Sequence, residues 1–72
     1  MPDKTYKIIE VVGVSDESIH LAVRNALSKA AQTVHNIDWF EVKGIRGSVG
    51  NDGAPTFQVE VRIGFSFEGS PV

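Results

Sequence analysis

The 72-residue chain predicts an α+β domain of order β-α-β-β, a three-stranded antiparallel sheet packed on one helix. Three patterns predict it. Apolar residues recur at helical spacing from Ile19 to Val34, β-rich segments precede and follow that run, and Gly50-Asn51-Asp52-Gly53-Ala54-Pro55 separates the last two segments as a hairpin loop. No linker, internal repeat or low-complexity tract divides the chain, so residues 1–72 read as a single domain, with 1–3 and 69–72 expected to be flexible.

Residues 4 to 14, Lys-Thr-Tyr-Lys-Ile-Ile-Glu-Val-Val-Gly-Val, are rich in β-branched side chains and predict the first strand. Thr5, Lys7, Ile9 and Val11 fall on one face and Tyr6, Ile8, Glu10 and Val12 on the other, so both faces carry apolar groups. Gly13 ends the run. Ser15-Asp16-Glu17-Ser18 then supplies a hydroxyl able to cap free N–H groups, with acids expected at the positive end of the helix dipole. The helix follows: Ile19, Ala22, Val23, Ala26, Leu27, Ala30, Ala31 and Val34 make one apolar stripe about four turns long. Its alanines suit close approach to a sheet, and Arg24, Asn25, Ser28, Lys29 and Gln32 form a solvated face.

The second strand is expected over residues 39–49 and the third over 56–68. In the third, Phe57, Val59, Val61, Ile63, Phe65 and Phe67 alternate with Gln58, Glu60, Arg62, Gly64, Ser66 and Glu68, so one face meets the helix and the other does not. The second has a fault. Phe40 and Val42 are apolar at even positions, whereas Ile45 and Val49 are apolar at odd ones. A one-residue bulge near Lys43-Gly44 repairs the alternation. Trp39, Glu41 and Arg46 then project from the face opposite the helix, which is also the face of Gln58.

Composition narrows the functional classes. A domain of this size buries only about 60% of the surface its unfolded chain exposes. There is no cysteine, hence no disulfide or thiolate metal site, and added stability is expected from oligomerisation or a bound ligand. Seven Lys and Arg against nine Asp and Glu give a net charge of −2, which argues against a nucleic-acid partner. No apolar run of about 20 residues and no charged-then-apolar leader occurs, so a soluble, cytoplasmic protein without a membrane partner is expected.

Catalytic signals are missing. No Ser-His-Asp set, paired inward carboxylates or phosphate-cradling glycine loop is evident, so no enzyme and no catalytic residue are expected. His20 and His35 lie at opposite ends of the helix, about 22 Å apart at 1.5 Å per residue, and cannot share a metal within one subunit; no metal ligands are assigned. Glu10, Glu41 and Glu60 on sheet faces have two readings, lining ion sites in an assembled shell or standing solvated, and the solvated role is the expected one. Arg46 has two readings, a ligand contact or an ion pair with Glu60 or Asp38. Trp39, the single tryptophan, is either a packing anchor or the flat wall of a ligand site. A sheet with Tyr6, Ile8, Val12 and Trp39 on its outside is an adhesive patch, and self-association is the simplest cover.

The sequence resembles the dodecin family. The marks are Glu10-Val-Val-Gly-Val-Ser15, Ala22-Val-Arg-Asn-Ala-Leu27, Asp38-Trp-Phe-Glu-Val42, Ile45-Arg-Gly47, Gln58-Val59 and Gly64-Phe65, and the resemblance runs over about residues 4–68. It implies a hollow homododecamer that stores and sequesters flavin, FMN or riboflavin, without turnover. Carried over by position, Trp39 would stack on the isoalloxazine between tryptophans of symmetry-related subunits and quench its excited state. Gln58 would hydrogen-bond the pyrimidine edge, and Arg46 would lie near the ribityl or phosphate end. Some bacterial members also bind coenzyme A through basic residues on the helix and last strand; Ser66 stands near the end of that strand here, and that site is not carried over. The alternative is a structural or regulatory small homo-oligomer in which Trp39 only seals an interface and no flavin binds.

Overall fold

The structure, a computed structural model, describes residues 5–66. The expected flexible ends 1–3 and 69–72, Lys4, and the last two residues of the expected third strand, Phe67 and Glu68, lie outside the described residues. Four elements follow in order: β1 Tyr6–Ser15, α1 Ile19–Ala31, β2 Ile37–Val49 and β3 Pro55–Ser66. The β-α-β-β order and the antiparallel sheet are as the sequence predicts. β3 lies in the middle and pairs antiparallel with both neighbours, giving the order β1-β3-β2. β1 and β2 therefore run parallel to each other at opposite edges, and α1 carries the chain from one edge to the other.

The core is built from small and β-branched side chains. Val59, Val61 and Ile63 of β3 are fully buried, and Ala22, Ala26 and Ala30 of α1 lie against them. Ile9 and Val11 of β1 join from the same face, opposite Ile63 and Val61. The alanines let the helix come close to the sheet. At Gly13 the approach is closest, since a Cβ there would collide with the Ala22 backbone carbonyl.

Helix boundaries differ from the sequence pattern at both ends. Ser18 is the N-cap, its hydroxyl accepting from Leu21 N at 3.0 Å, while Ser15 Oγ accepts from Glu17 N and Ser18 N in the turn before it. Asp16 and Glu17 consequently precede the cap, and the first turn holds no acid. At the other end α1 stops at Ala31, although Thr33 and Val34 still donate to Ala30 O. Asn36 then reverses the chain with φ of 66°, a left-handed conformation that Asn tolerates better than most residues. That reversal starts β2 two residues earlier than the sequence pattern suggests.

β2 carries two register shifts, one between Val42 and Gly44 and one between Ile37 and Trp39. The first is the expected bulge. The second was not signalled by alternation, because it falls where the strand begins. Phe40 and Val42 before the first bulge and Ile45 after it stand opposite Ile63, Val61 and Val59 on the helix side of the sheet. The hairpin loop closes with Gly53 N donating to Gly50 O and Ala54 N to Asp52 Oδ1.

α1 covers β1 and β3 but meets β2 only marginally. Phe40, Val42, Ile45 and Val49 are left exposed in consequence, Val49 at 73%. The opposite face of the sheet has no covering layer among the described residues. Both apolar surfaces point to partners, since stripes of this kind on a domain this small are interaction surfaces.

Candidate functional site

The uncovered face of the sheet is a ladder of rows set by strand register. From one end, Tyr6 stands opposite Ser66; Ile8, Gly64 and Trp39 form the next row; then come Glu10, Arg62 and Glu41; then Val12, Glu60 and Gly44; and last Val14, Gln58 and Arg46. Trp39, Glu41, Arg46 and Gln58 thus share the face opposite the helix, as the bulge at Lys43-Gly44 requires.

Trp39 sits at one end of this ladder. Its indole occupies the space that a side chain at position 64 would take, for a Cβ on Gly64 would collide with Cε2, Cζ2 and Cδ2 of the ring. Tyr6 meets the indole edge-on, ring centroids 6.2 Å apart at 66°, and the Tyr6 hydroxyl donates to Asp38 Oδ2 at 3.0 Å. Trp39 nevertheless stays 37% exposed as a residue, although an aromatic of this size ordinarily gains from full burial. The sequence set Tyr6 in the adhesive outer patch and Gly64 among the marks of the resemblance, but gave neither a contact with the indole. The signal was present in outline: Tyr6 shares the face of Trp39 by alternation, and Gly64 breaks the run of larger polar residues on the solvent side of β3.

Gln58 and Arg46 sit together at the other end. Arg46 Nε donates to Gln58 Oε1 at 3.1 Å, and its Nη1 lies 3.5 Å from Glu60 Oε1. Of the two ion pairs considered for Arg46, the structure forms the one with Glu60; Asp38 accepts from Tyr6 instead. Because the carboxamide oxygen faces a guanidinium N–H, the Gln58 amide NH₂ is turned away from Arg46 as a donor.

The two ends do not meet within one chain. Trp39 is opposite Gly64 and Arg46 is opposite Gln58, six residues along β3, which is roughly 20 Å at the usual rise per strand residue. No single three-ring heterocycle spans that length. Between the ends lies an ionic belt: Lys43 Nζ to Glu10 Oε2 at 3.2 Å, Arg62 Nη1 to Glu41 Oε1 at 3.4 Å and Arg62 Nε to Glu10 Oε2 at 3.7 Å. Glu10, Glu41 and Glu60 are solvated as expected but also paired: register places Arg62 opposite Glu10 and Glu41, and Glu60 meets Arg46 on the diagonal. Their side chains remain partly exposed, so each pair contributes only about 0.2–1 kcal/mol.

Among the described residues, no group of three or more His, Cys, Asp and Glu is placed to hold a metal ion, and no helix is long and apolar enough to cross a membrane.

The family model described as Dodecin matches residues 5–68. A curated dodecin from Thermus thermophilus is 45% identical over 65 residues, covering 90% of this chain and 94% of its own length. Among solved structures, the dodecin from Streptomyces coelicolor aligns with a TM-score of 0.88 at 41% identity, over 97% of this chain and all of its own. A Mycobacterium tuberculosis structure described as a calcium-chelating antigen, calcium dodecin, aligns with a TM-score of 0.80 at 25% identity, over 94% of this chain and 97% of its own.

Proposed function

The chain belongs to the dodecin family, and from this premise we propose that it is a flavin-binding storage protein without turnover. The ring of FMN or riboflavin stacks on Trp39 and its emission is quenched there. The observation that carries this reading is the half-exposed indole seated on Gly64 at the edge of an uncovered sheet face. One side of the indole rests on backbone and the other is available to a planar aromatic partner, a contact worth about 0.5–1.5 kcal/mol beyond area burial.

The donors on the same face suit the rest of such a ligand. Gln58 directs an amide NH₂ outward, which fits a carbonyl oxygen on the pyrimidine edge of the ring. Arg46 uses two of its N–H groups on Gln58 and Glu60 and has others for a ribityl or phosphate oxygen. Since Trp39 and the Gln58–Arg46 pair lie too far apart for one ring, the site is composed across copies: one chain supplies the indole and another the carboxamide. A homo-oligomer, taken to be a dodecamer, brings them together and also covers the apolar stripes on both faces. The protein is taken to work in the cytoplasm, sequestering flavin by burial rather than by chemistry.

Fluorescence titration of flavin-free protein with riboflavin, wild type beside Trp39→Ala, tests the reading. Saturable quenching by wild type and its loss in the variant are expected. Equal affinity and equal quenching in the two would remove Trp39 from the site, and absence of quenching in wild type would leave it an interface residue.

A further inference from the structure

We infer that Tyr6, Asp38 and Gly64 form a clamp that fixes the plane of the Trp39 indole before any ligand arrives. The inference about the ligand rests on the flavin reading; the clamp itself does not.

Tyr6 belongs to β1 and Asp38 to β2, strands held apart by β3. For the Tyr6 hydroxyl to reach Asp38 Oδ2 at 3.0 Å, the phenol must cross over the end of β3, and the residues beneath it there are Gly64 and Ser66. A larger side chain at 64 would block that crossing and evict the indole together, because the Trp39 ring already fills the space. Asp38 is placed for the bond by the register shift between Ile37 and Trp39. The shift leaves Asp38 outside the ladder pairing, and its carboxylate lies on the same face as its neighbour. Three distant parts of the chain thus meet at one ring: a hydroxyl-to-carboxylate bond ties the outer strands, the tyrosine edge closes one side of the indole at 66°, and the glycine backbone forms its floor.

An indole held only by its own backbone samples several rotamers, and ordering a rotamer-rich side chain on binding costs affinity. One pinned between a glycine floor and a tyrosine edge meets a ring without that cost.

The test uses the full-length assembled protein, in which Trp39 is the single tryptophan, so its emission reports this position alone. Time-resolved anisotropy of Trp39 is measured without flavin in wild type, Tyr6→Phe, Tyr6→Leu, Asp38→Asn and Gly64→Ala, each first checked for assembly size. A decay without a fast local component is expected for wild type and for Asp38→Asn, which keeps an acceptor oxygen; a fast component is expected in Tyr6→Phe and a larger one in Tyr6→Leu. With riboflavin added, Tyr6→Leu is expected to bind about two- to tenfold more weakly, the loss of one aromatic pair. If Gly64→Ala does not assemble, the tyrosine variants decide. An unchanged anisotropy decay in assembled Tyr6→Leu overturns the clamp. Failure of wild type to bind riboflavin would overturn the flavin reading instead, and the anisotropy comparison would still decide the clamp.

Discussion

Replacing Arg46 by lysine keeps a cation beside Glu60 but removes the planar guanidinium whose Nε–H holds Gln58. Arg46 Nε donates to Gln58 Oε1 at 3.1 Å, and Nη1 is 3.5 Å from Glu60 Oε1. The arginine side chain is 57% exposed and the glutamate 31%, so the ion pair contributes about 0.2–1 kcal/mol and the fold survives its alteration. The carboxamide changes more. Without the guanidinium donor the amide turns about its last bond, and ordering it again on binding costs about 0.5–1.5 kcal/mol, or about two- to tenfold in Kd. The assay is a flavin-emission titration of wild type and Arg46→Lys with riboflavin and with FMN, at one ionic strength because phosphate contacts are screened by salt. If Arg46 acts through Gln58, both ligands weaken alike; if it also meets the phosphate, FMN weakens more. Wild-type affinity of Arg46→Lys for riboflavin would refute the orientation argument.

Two further expectations concern the core that positions the face. Ile63→Ala empties a fully buried site in β3 and is expected to cost about 2–5 kcal/mol, read from urea unfolding at fixed protein concentration because self-association makes stability concentration-dependent. Gly13→Ala puts a methyl against the Ala22 carbonyl; it is expected to lower the unfolding midpoint clearly below that of wild type, and an unchanged midpoint would mean that helix and strand separate at little cost.

Much of this arrangement was legible because each signal was local and periodic. The stripe from Ile19 to Ala31 specifies a helix by spacing alone, and strict alternation from Phe57 to Ser66 specifies a strand with one buried face. The Lys43-Gly44 bulge was legible because it breaks that alternation in mid-strand, where apolar residues on either side register the slip. The shift at Asp38 has no such flank. Only Ile37 precedes it, and the reversal at Asn36 depends on a backbone conformation that side-chain pattern does not encode. The end of α1 failed for a related reason: Val34 continues the apolar stripe, but the helix yields there to the left-handed Asn36.

For the site, sequence placed Trp39, Arg46 and Gln58 on one face correctly. It could not give the separation along β3 between Trp39 and the Arg46–Gln58 pair, because alternation fixes the face and not the register between strands. Register also brought Tyr6 and Gly64 to the indole. That contact joins residues more than fifty positions apart, and no pattern within one segment announces it, whereas the ion pair of Arg46 with Glu60 was among the readings the sequence offered.

The proposal that one ligand draws its indole and its carboxamide from different copies is tested directly by complementation between Trp39→Ala and Gln58→Ala, each of which should bind riboflavin weakly when assembled alone. The two are unfolded together, refolded into mixed assemblies and titrated by flavin quenching. Sites composed across copies predict that the mixture regains a fraction of wild-type quenching, from sites where an intact Trp39 meets an intact Gln58. A mixture that quenches no better than the two variants measured separately would contradict the account.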